Sequence, residues 1–435
     1  MHTISGSPLE LDPASLPAPD WILLYLMLSR LAEEYLASRR RDEDGVRAVF
    51  MHLTYVSYIP KTITTPLHFS PAELALLANT PLLGSTERRL RETLVDYERA
   101  RQLVCGHLTG LSGDEFGVFL AQILQPVSAT QMEQDPLMAR TLHKALELWR
   151  WAESAFTSRS FPPRLIGLSD ANPGQPSSSE TSAPILIPGY DTFNHARAHP
   201  VTWSTTPADS TVCMTLNYAL PHPRCQVYNN YGGKSNEEFL SGYGFTLPTC
   251  SEDTMALKLG EATSDPESTS GTTHYWRIPA TDTVDEQPPI QDAEGRFVEP
   301  ACPAPGLPAD IRRGWAHNNN PPPMSDAEAY ANIIEVLEAM MLRKRKAFRA
   351  SQRTLDAVPQ LQLVEGEHAA WHRAETDMVR KEVFANIAQY RHGQLRLLNH
   401  AVKWSQDVLE RVADVLDGED DFDSDDEDEQ GQAEQ

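Results

Sequence analysis

Between Ile187 and Phe245 the sequence sets two polar sites on an apolar background. An apolar run ends in Tyr190, Asp191, Thr192, Phe193, Asn194 and His195. Some thirty residues later comes QVYNNYGGKSNEEFLSGYGF, which carries Tyr231, Lys234, Asn236, Glu238 and Tyr243. Carboxamide, imidazole and carboxylate groups at this spacing can hold a polar ligand, and tyrosines can pair an apolar ring with a hydroxyl. Taken singly, each site has a plainer reading. Asn beside His is often a satisfied polar corner, and a buried tyrosine usually finds a hydroxyl partner. Order and spacing raise the pair above that reading.

The segments D-x-x-N-H (Asp191 to His195), N-Y-G-x-K-S-N-x-E (Asn230 to Glu238) and Y-G-F (Tyr243 to Phe245) stand in one succession. This succession resembles the C-terminal half of a SET domain, in the branch of the Rubisco large-subunit and ribosomal-protein lysine methyltransferases. The resemblance implies transfer of a methyl group from S-adenosylmethionine to a protein lysine. It puts Asn194 and His195 on the cofactor, with Asp191, Gly244 and Phe245 in the same pocket. Tyr243 would lie at the methyl-transfer point as the catalytic tyrosine, also touching the cofactor, and Tyr231 would line the lysine channel. Asn236 and Glu238 would lock the backbone. The family's S-R-A-F element has its match at SRSF, which makes Arg159 the expected partner of the cofactor's carboxylate. By its position alone, Arg159 is a cation complementing a helix C-terminus.

The elements that must position these residues follow the chain. Residues 1–20 are proline-rich and polar, a leader. Trp21 to Leu36 reads as a buried helix, and Phe50 to Ile63 is β-branched and aromatic. Ser70, Pro71 and Glu73 form a helix start with a capping box. Leucines at helical spacing mark helices over 86–103, 114–123 and 141–159. This block, 21–165, resembles the family's helical insert. Residues 169–184 read as a surface loop, then Ile185 to Pro188 as a short buried strand. Thr211 to Leu216 and Arg224 to Tyr228 read as a strand pair about the Pro221–Pro223 turn, and Thr254 to Leu259 as the last strand of that sheet. Residues 166–262 thus form the C-terminal SET β region. Residues 263–323 read as an irregular linker. Ser325 and Glu328 open a helix over 327–349, and an apolar stripe marks another over 371–416. With Tyr390, Arg391, Gly393 and Gln394 matching Y-R-x-G-Q, residues 324–416 resemble the family's helical substrate-binding domain.

The expected fold is therefore α+β: a split SET domain, with small sheets, a pseudoknot-like crossing and a large helical insert, followed by an all-helical domain. A full SET domain also begins with a strand pair bearing G-x-G, and Gly6 and Gly45 stand outside any such motif. The chain is expected to start at the helical insert. Two other functions therefore stay open, a truncated non-catalytic SET-like protein-binding module and a protein-histidine methyltransferase.

The 435 residues carry a formal charge of -24, of which eleven acids without one basic residue fall from Asp417 onward. Such a run cannot bury enough apolar surface to offset its ordering entropy, so 417–435 reads as a disordered tail. The charge argues against direct nucleic-acid binding and suits a basic protein substrate, such as a ribosomal protein, translation factor or histone. Cys105, Cys213, Cys225, Cys250 and Cys302 form no C-x-x-C pair, so neither a metal site nor a disulfide framework is expected. No signal peptide or membrane span is legible, and a monomer in the cytoplasm or nucleus is expected.

Overall fold

The computed structural model describes residues 13–38, 44–108, 115–124, 136–163, 184–206, 211–248, 250–259, 272–279, 290–317, 325–356, 363–364 and 378–430. The loop expected over 169–184 lies almost wholly outside them.

The N-terminal half is helical: α1 (Ala18–Ser38), α2 (Asp44–Val49), α3 (Leu53–Tyr58), α4 (Pro71–Ala75), α5 (Pro81–Leu108), α6 (Glu115–Leu124) and α7 (Pro136–Arg159). Apolar residues on most faces of α1 are what a surrounded helix needs. Leu23, Leu24, Met27 and Leu31 are buried there against Trp149, Ala152 and Leu120. Within the stretch expected to be a leader, Leu16 and Asp20 are buried, and residues 1–12 lie outside the described ones. The β-branched stretch after Phe50 contains the short helix α3 and no strand. Arg30, buried on α1, covers the Trp151 ring at 4.4 Å and donates to the Ile59 carbonyl. Trp151 Nε1 donates to the Pro60 carbonyl at 2.8 Å. These contacts pin the segment 59–64 that borders the polar sites.

The capping box at α4 forms as expected: Ser70 Oγ accepts from the Glu73 amide at 3.1 Å, and Glu73 Oε2 accepts from the Ser70 amide at 2.9 Å. Glu73, 1% exposed, also takes the Arg380 guanidinium at 2.7 Å, so one carboxylate ties the start of the last helix to the insert.

Strands are short and paired in twos. β1 (Ser160–Phe161) lies antiparallel to β2 (Ile185–Leu186), and β3 (Asn194–His195) parallel to β6 (Tyr228–Asn229). β4 (Val201–Thr206) lies antiparallel to β5 (Thr211–Leu216), with Val201 opposite Leu216. The expected pairing of 211–216 with 224–228 is thereby corrected: the partner is 201–206. Pro221 and Pro223 lack the amide protons a ladder requires, whereas VTWSTT alternates cleanly. β7 (Thr254–Lys258) is likewise not the last strand of that sheet. It pairs with β8 (Thr273–Arg277), inside the stretch expected to be an irregular linker. The same stretch holds α9 (Leu307–His317). The pair β7–β8 sends Met255, Leu257 and Trp276 into one core with α10 (Asp326–Asp356) and α11 (Lys381–Gln430). The hairpin β7–β8 thus packs in one core with the helices of the C-terminal half.

A further short pair, β9 (Leu363–Val364) and β10 (Val379–Arg380), runs parallel just before α11. The last helix therefore starts at Lys381, ten residues later than Trp371, and residues 365–377 lie outside the described ones. It continues as helical backbone to Gln430, into the acids expected to be disordered. Adding residues to a helix already anchored by packing costs little beside nucleating one.

Candidate functional site

Helix α8 (Asn236–Tyr243) carries the second polar site, and its ends explain its place. Ser235 and Glu238 form a reciprocal capping box at its start. Asn236 Oδ1 accepts from the Leu247 amide at 2.7 Å and its Nδ2 donates to the Leu247 carbonyl, while its own amide donates to Asp253 Oδ1 at 2.7 Å. Asn236 and Glu238 hold backbone, as expected. Gly244 ends the helix at φ 77, and a Cβ there would stand 2.8 Å from the carbonyl carbon of Thr64. Its carbonyl accepts from Thr64 Oγ1 at 3.0 Å and from Asn386 Nδ2 at 3.3 Å.

The parallel pair β3–β6 carries the first site to the second. His195 Nδ1 accepts from the Tyr231 amide at 3.0 Å, so in this geometry the neutral ring bears its proton on Nε2. The His195 ring lies 4.8 Å from Phe239 and 5.1 Å from Tyr231. Burial, with Arg197 and His199 nearby, pushes the His195 pKa down. Tyr231 stacks on Tyr243 at 5.0 Å, and Phe239 on Phe245 at 4.9 Å. Residues 195, 231, 239, 243 and 245 therefore form one contiguous aromatic cluster. Tyr231 Oη donates to the Phe193 carbonyl at 2.7 Å, and burial pushes its pKa up to about 12. The Tyr243 pKa is raised by burial and by Glu238, and its hydroxyl makes no hydrogen bond among the described residues. Lys234 Nζ lies 6.0 Å from the Tyr243 ring centre.

Arg159 pairs with Asp191. Its Nη1 donates to Asp191 Oδ2 at 3.0 Å and to the Asp191 carbonyl at 2.9 Å. The Asp191 side chain, 0% exposed, also accepts from Tyr55 Oη at 2.9 Å and from the Gly189 amide at 3.1 Å. Asp191 thus shapes the turn ahead of β3. Asn194 is exposed and contributes its backbone to the ladder with Tyr228.

Beside the aromatic cluster lies a cavity of about 220 Å³ lined by His195, Arg197, Asn230, Gly232, Lys234 and Phe239, among others. Arg197 donates from Nη1 to Ser251 Oγ and pairs with Glu252. Among the described residues no cluster of His, Cys, Asp and Glu is arranged to hold a metal. None of their helices is long and apolar enough to cross a membrane. Sequence reasoning missed Tyr55, Thr64, Arg197, Phe239 and Asn386. Only Phe239 left a local trace, four residues before Tyr243 and so on the same helix face.

No protein-family model matches the chain. Ribosomal lysine N-methyltransferase set10 of Schizosaccharomyces pombe is 29% identical over 205 residues, 47% of this chain and 30% of that protein. Ribosomal lysine N-methyltransferase 1 of Saccharomyces cerevisiae is 27% identical over 228 residues, 50% of this chain and 36% of that protein. The chain therefore spans about a third of the length of these curated relatives. Actin-histidine N-methyltransferase of Gallus gallus is 26% identical over 213 residues, 49% of this chain and 30% of that protein. Among solved structures, Rubisco LSMT bound to sinefungin and monomethyllysine aligns with a TM-score of 0.51 at 16% identity, covering 90% of this chain and 75% of that one. The SET domain of LSMT bound to MeLysine and AdoHcy aligns at 0.50, also at 16% identity, covering 92% and 78%. The fold of this chain is that of the Rubisco LSMT SET structures, and its sequence relatives include ribosomal lysine N-methyltransferases.

Proposed function

We propose that this chain is an S-adenosylmethionine-dependent protein-lysine N-methyltransferase. The observation that carries the reading is the joining of His195, Tyr231 and Tyr243, far apart in sequence, in one aromatic cluster beside a cavity. Relatives that bear the same activity in their names support it. The parallel pairing of residues 194–195 with 228–229 supports the split-SET crossing within it.

The cavity residues fit such a cofactor. His195 and Phe239 offer flat ring faces, and the Arg197 guanidinium lends the lining a positive charge. Arg159 keeps Nε and Nη2 for a carboxylate, since its bonds to Asp191 use Nη1. Asn194, His195, Gly244 and Phe245 complete the cofactor side. When bound, S-adenosylmethionine supplies a methyl group on a sulfonium. The acceptor amine must arrive neutral, and the aromatic surroundings that Tyr231, Tyr243 and Phe245 provide disfavour the charged ammonium by desolvation. Tyr231 is fixed by the Phe193 carbonyl and acts as a wall. The Tyr243 hydroxyl, protonated and without a partner among the described residues, orients the amine, so that proximity and alignment lower the barrier.

Substrates in this reading are basic proteins, ribosomal proteins first, attracted by the net charge of -24. The actin-histidine relatives favour histidine as the second acceptor to test. Titration with S-adenosylmethionine by calorimetry decides between enzyme and binding module. Saturable heat is expected, and no heat at high ligand concentration overturns the enzymatic reading. Mass spectrometry of extract proteins incubated with chain and cofactor then identifies the methylated residue as lysine or histidine.

A further inference from the structure

Helix α10 is acidic in its first half, with Asp326, Glu328, Glu335 and Glu338, and basic in its second, with Arg343, Lys344, Arg345, Lys346, Arg349 and Arg353. Among the described residues none of these six cations forms an ion pair, and only Arg349 makes a hydrogen bond, to Asn399 Oδ1 at 3.3 Å. Arg343, Lys346, Arg349 and Arg353 are all exposed. At these spacings Lys346, Arg349 and Arg353 share one helix face. In a chain with 61 acids against 37 bases, these six neighbouring cations form, among the described residues, a surface short of a counter-charge.

The same chain holds the complementary charge, in the eleven acids from Asp417 to Glu434 with no base among them. The helical hairpin keeps the two apart. α10 and α11 are antiparallel, with Arg349 beside Asn399 and Glu338 bonded to Gln406 at 2.7 Å. At 1.5 Å per residue, Asp417 lies about 27 Å beyond Asn399, and α11 carries the acids about 20 Å further away. A continuous α11 cannot bring its acids back to its own stripe.

We propose that the basic stripe of α10 is a docking surface for the acidic run of a second copy of this chain. Each copy offers one stripe and one run at opposite ends of its hairpin. The contact is heterologous, and copies associate head to tail. It is electrostatic and exposed, so salt weakens it.

Complementation tests this in the full chain. One variant carries Arg343→Glu, Lys346→Glu and Arg353→Glu; the other has Asp420, Asp421, Asp423, Asp425 and Asp426 each replaced by Asn. All these positions lie away from the aromatic cluster, and circular dichroism verifies that both variants are folded. Analytical ultracentrifugation at low salt is expected to show concentration-dependent association of the parent chain, lost at about 0.5 M salt. Each variant alone is expected to be monomeric. An equimolar mixture is expected to restore a 1:1 pair, since one copy supplies the stripe and the other the run. A parent chain monomeric at low salt, or a mixture that stays monomeric, overturns the proposal. So does a stripe that captures a 20-nucleotide RNA but no second copy.

Discussion

The rings of Tyr231 and Tyr243 lie stacked with 5.0 Å between centres and 25° between planes, one hydroxyl bonded and the other not. Two tyrosines twelve residues apart thus have opposite duties. Tyr231 is spent on the Phe193 carbonyl, whereas the Tyr243 hydroxyl has no hydrogen-bond partner among the described residues.

Tyr243→Phe is therefore expected to lower kcat by about 10²–10³-fold, as loss of one preorganised donor does, while the cofactor Kd stays within about twofold. Tyr231→Phe is expected to act on stability instead, costing about 1 kcal/mol for one hydrogen bond. Steady-state kinetics with calorimetry reads the first, urea unfolding the second. A Tyr243→Phe enzyme with full kcat refutes the assigned role.

Asp191→Ala should be the most destabilising change in the site. It leaves Arg159 Nη1 and Tyr55 Oη without their shared acceptor. Removing one member of a buried pair costs about 3–5 kcal/mol. The loss should fall near 3 kcal/mol, because Arg159 retains 20% exposure and water can reach it. Urea unfolding measures it, and a shift below 1 kcal/mol would show that the pair contributes little.

Gly244→Ala meets two obstacles, a φ of 77 and a Cβ site 2.8 Å from the Thr64 backbone. A cost of about 1–3 kcal/mol is expected from the conformation alone. Displacement of Thr64 should also loosen Tyr243, so kcat falls with the melting temperature. An unchanged melting temperature would contradict the close approach.

His195 gives the site an acid limit. Burial, with help from Arg197 and His199, holds its folded pKa below the unfolded value. Its contribution is then fully present above about pH 6.5, the usual histidine pKa, and is lost as the pH falls below that. A proton on Nδ1 would also face the Tyr231 amide proton. Stability and cofactor affinity are expected to fall together below about pH 6.5, and His195→Asn should flatten both profiles. Equal pH profiles for the two proteins would remove His195 as the cause.

What was legible in the sequence was what neighbours in the chain decide. Ser70 with Glu73 announced a helix start, and Asn194, His195, Tyr231 and Tyr243 stood in order. Non-local pairing was not legible. The partner of Thr211–Leu216 turned on proline positions and on a strand bounded by Pro200 and Pro207, and the motif residues did not reveal it. Tyr55, Thr64 and Asn386 reach the site from 136, 180 and 142 residues away in sequence, a range over which periodicity carries no information. Arg159 was legible as a cation at a helix end, but its acceptor Asp191, 32 residues on, was not.

Asn386 on α11 donates to the Gly244 carbonyl and accepts from both the amide and the hydroxyl of Thr246. Arg391, five residues on, reaches the Leu76 and Ala78 carbonyls just after α4 and the Phe348 carbonyl of α10. The last helix is thus tied directly to the backbone that follows Tyr243 rather than being an appended module. An expression fragment that stops short of Lys381 would lose the clasp around Gly244 and, with it, the shape of the pocket it was made to isolate.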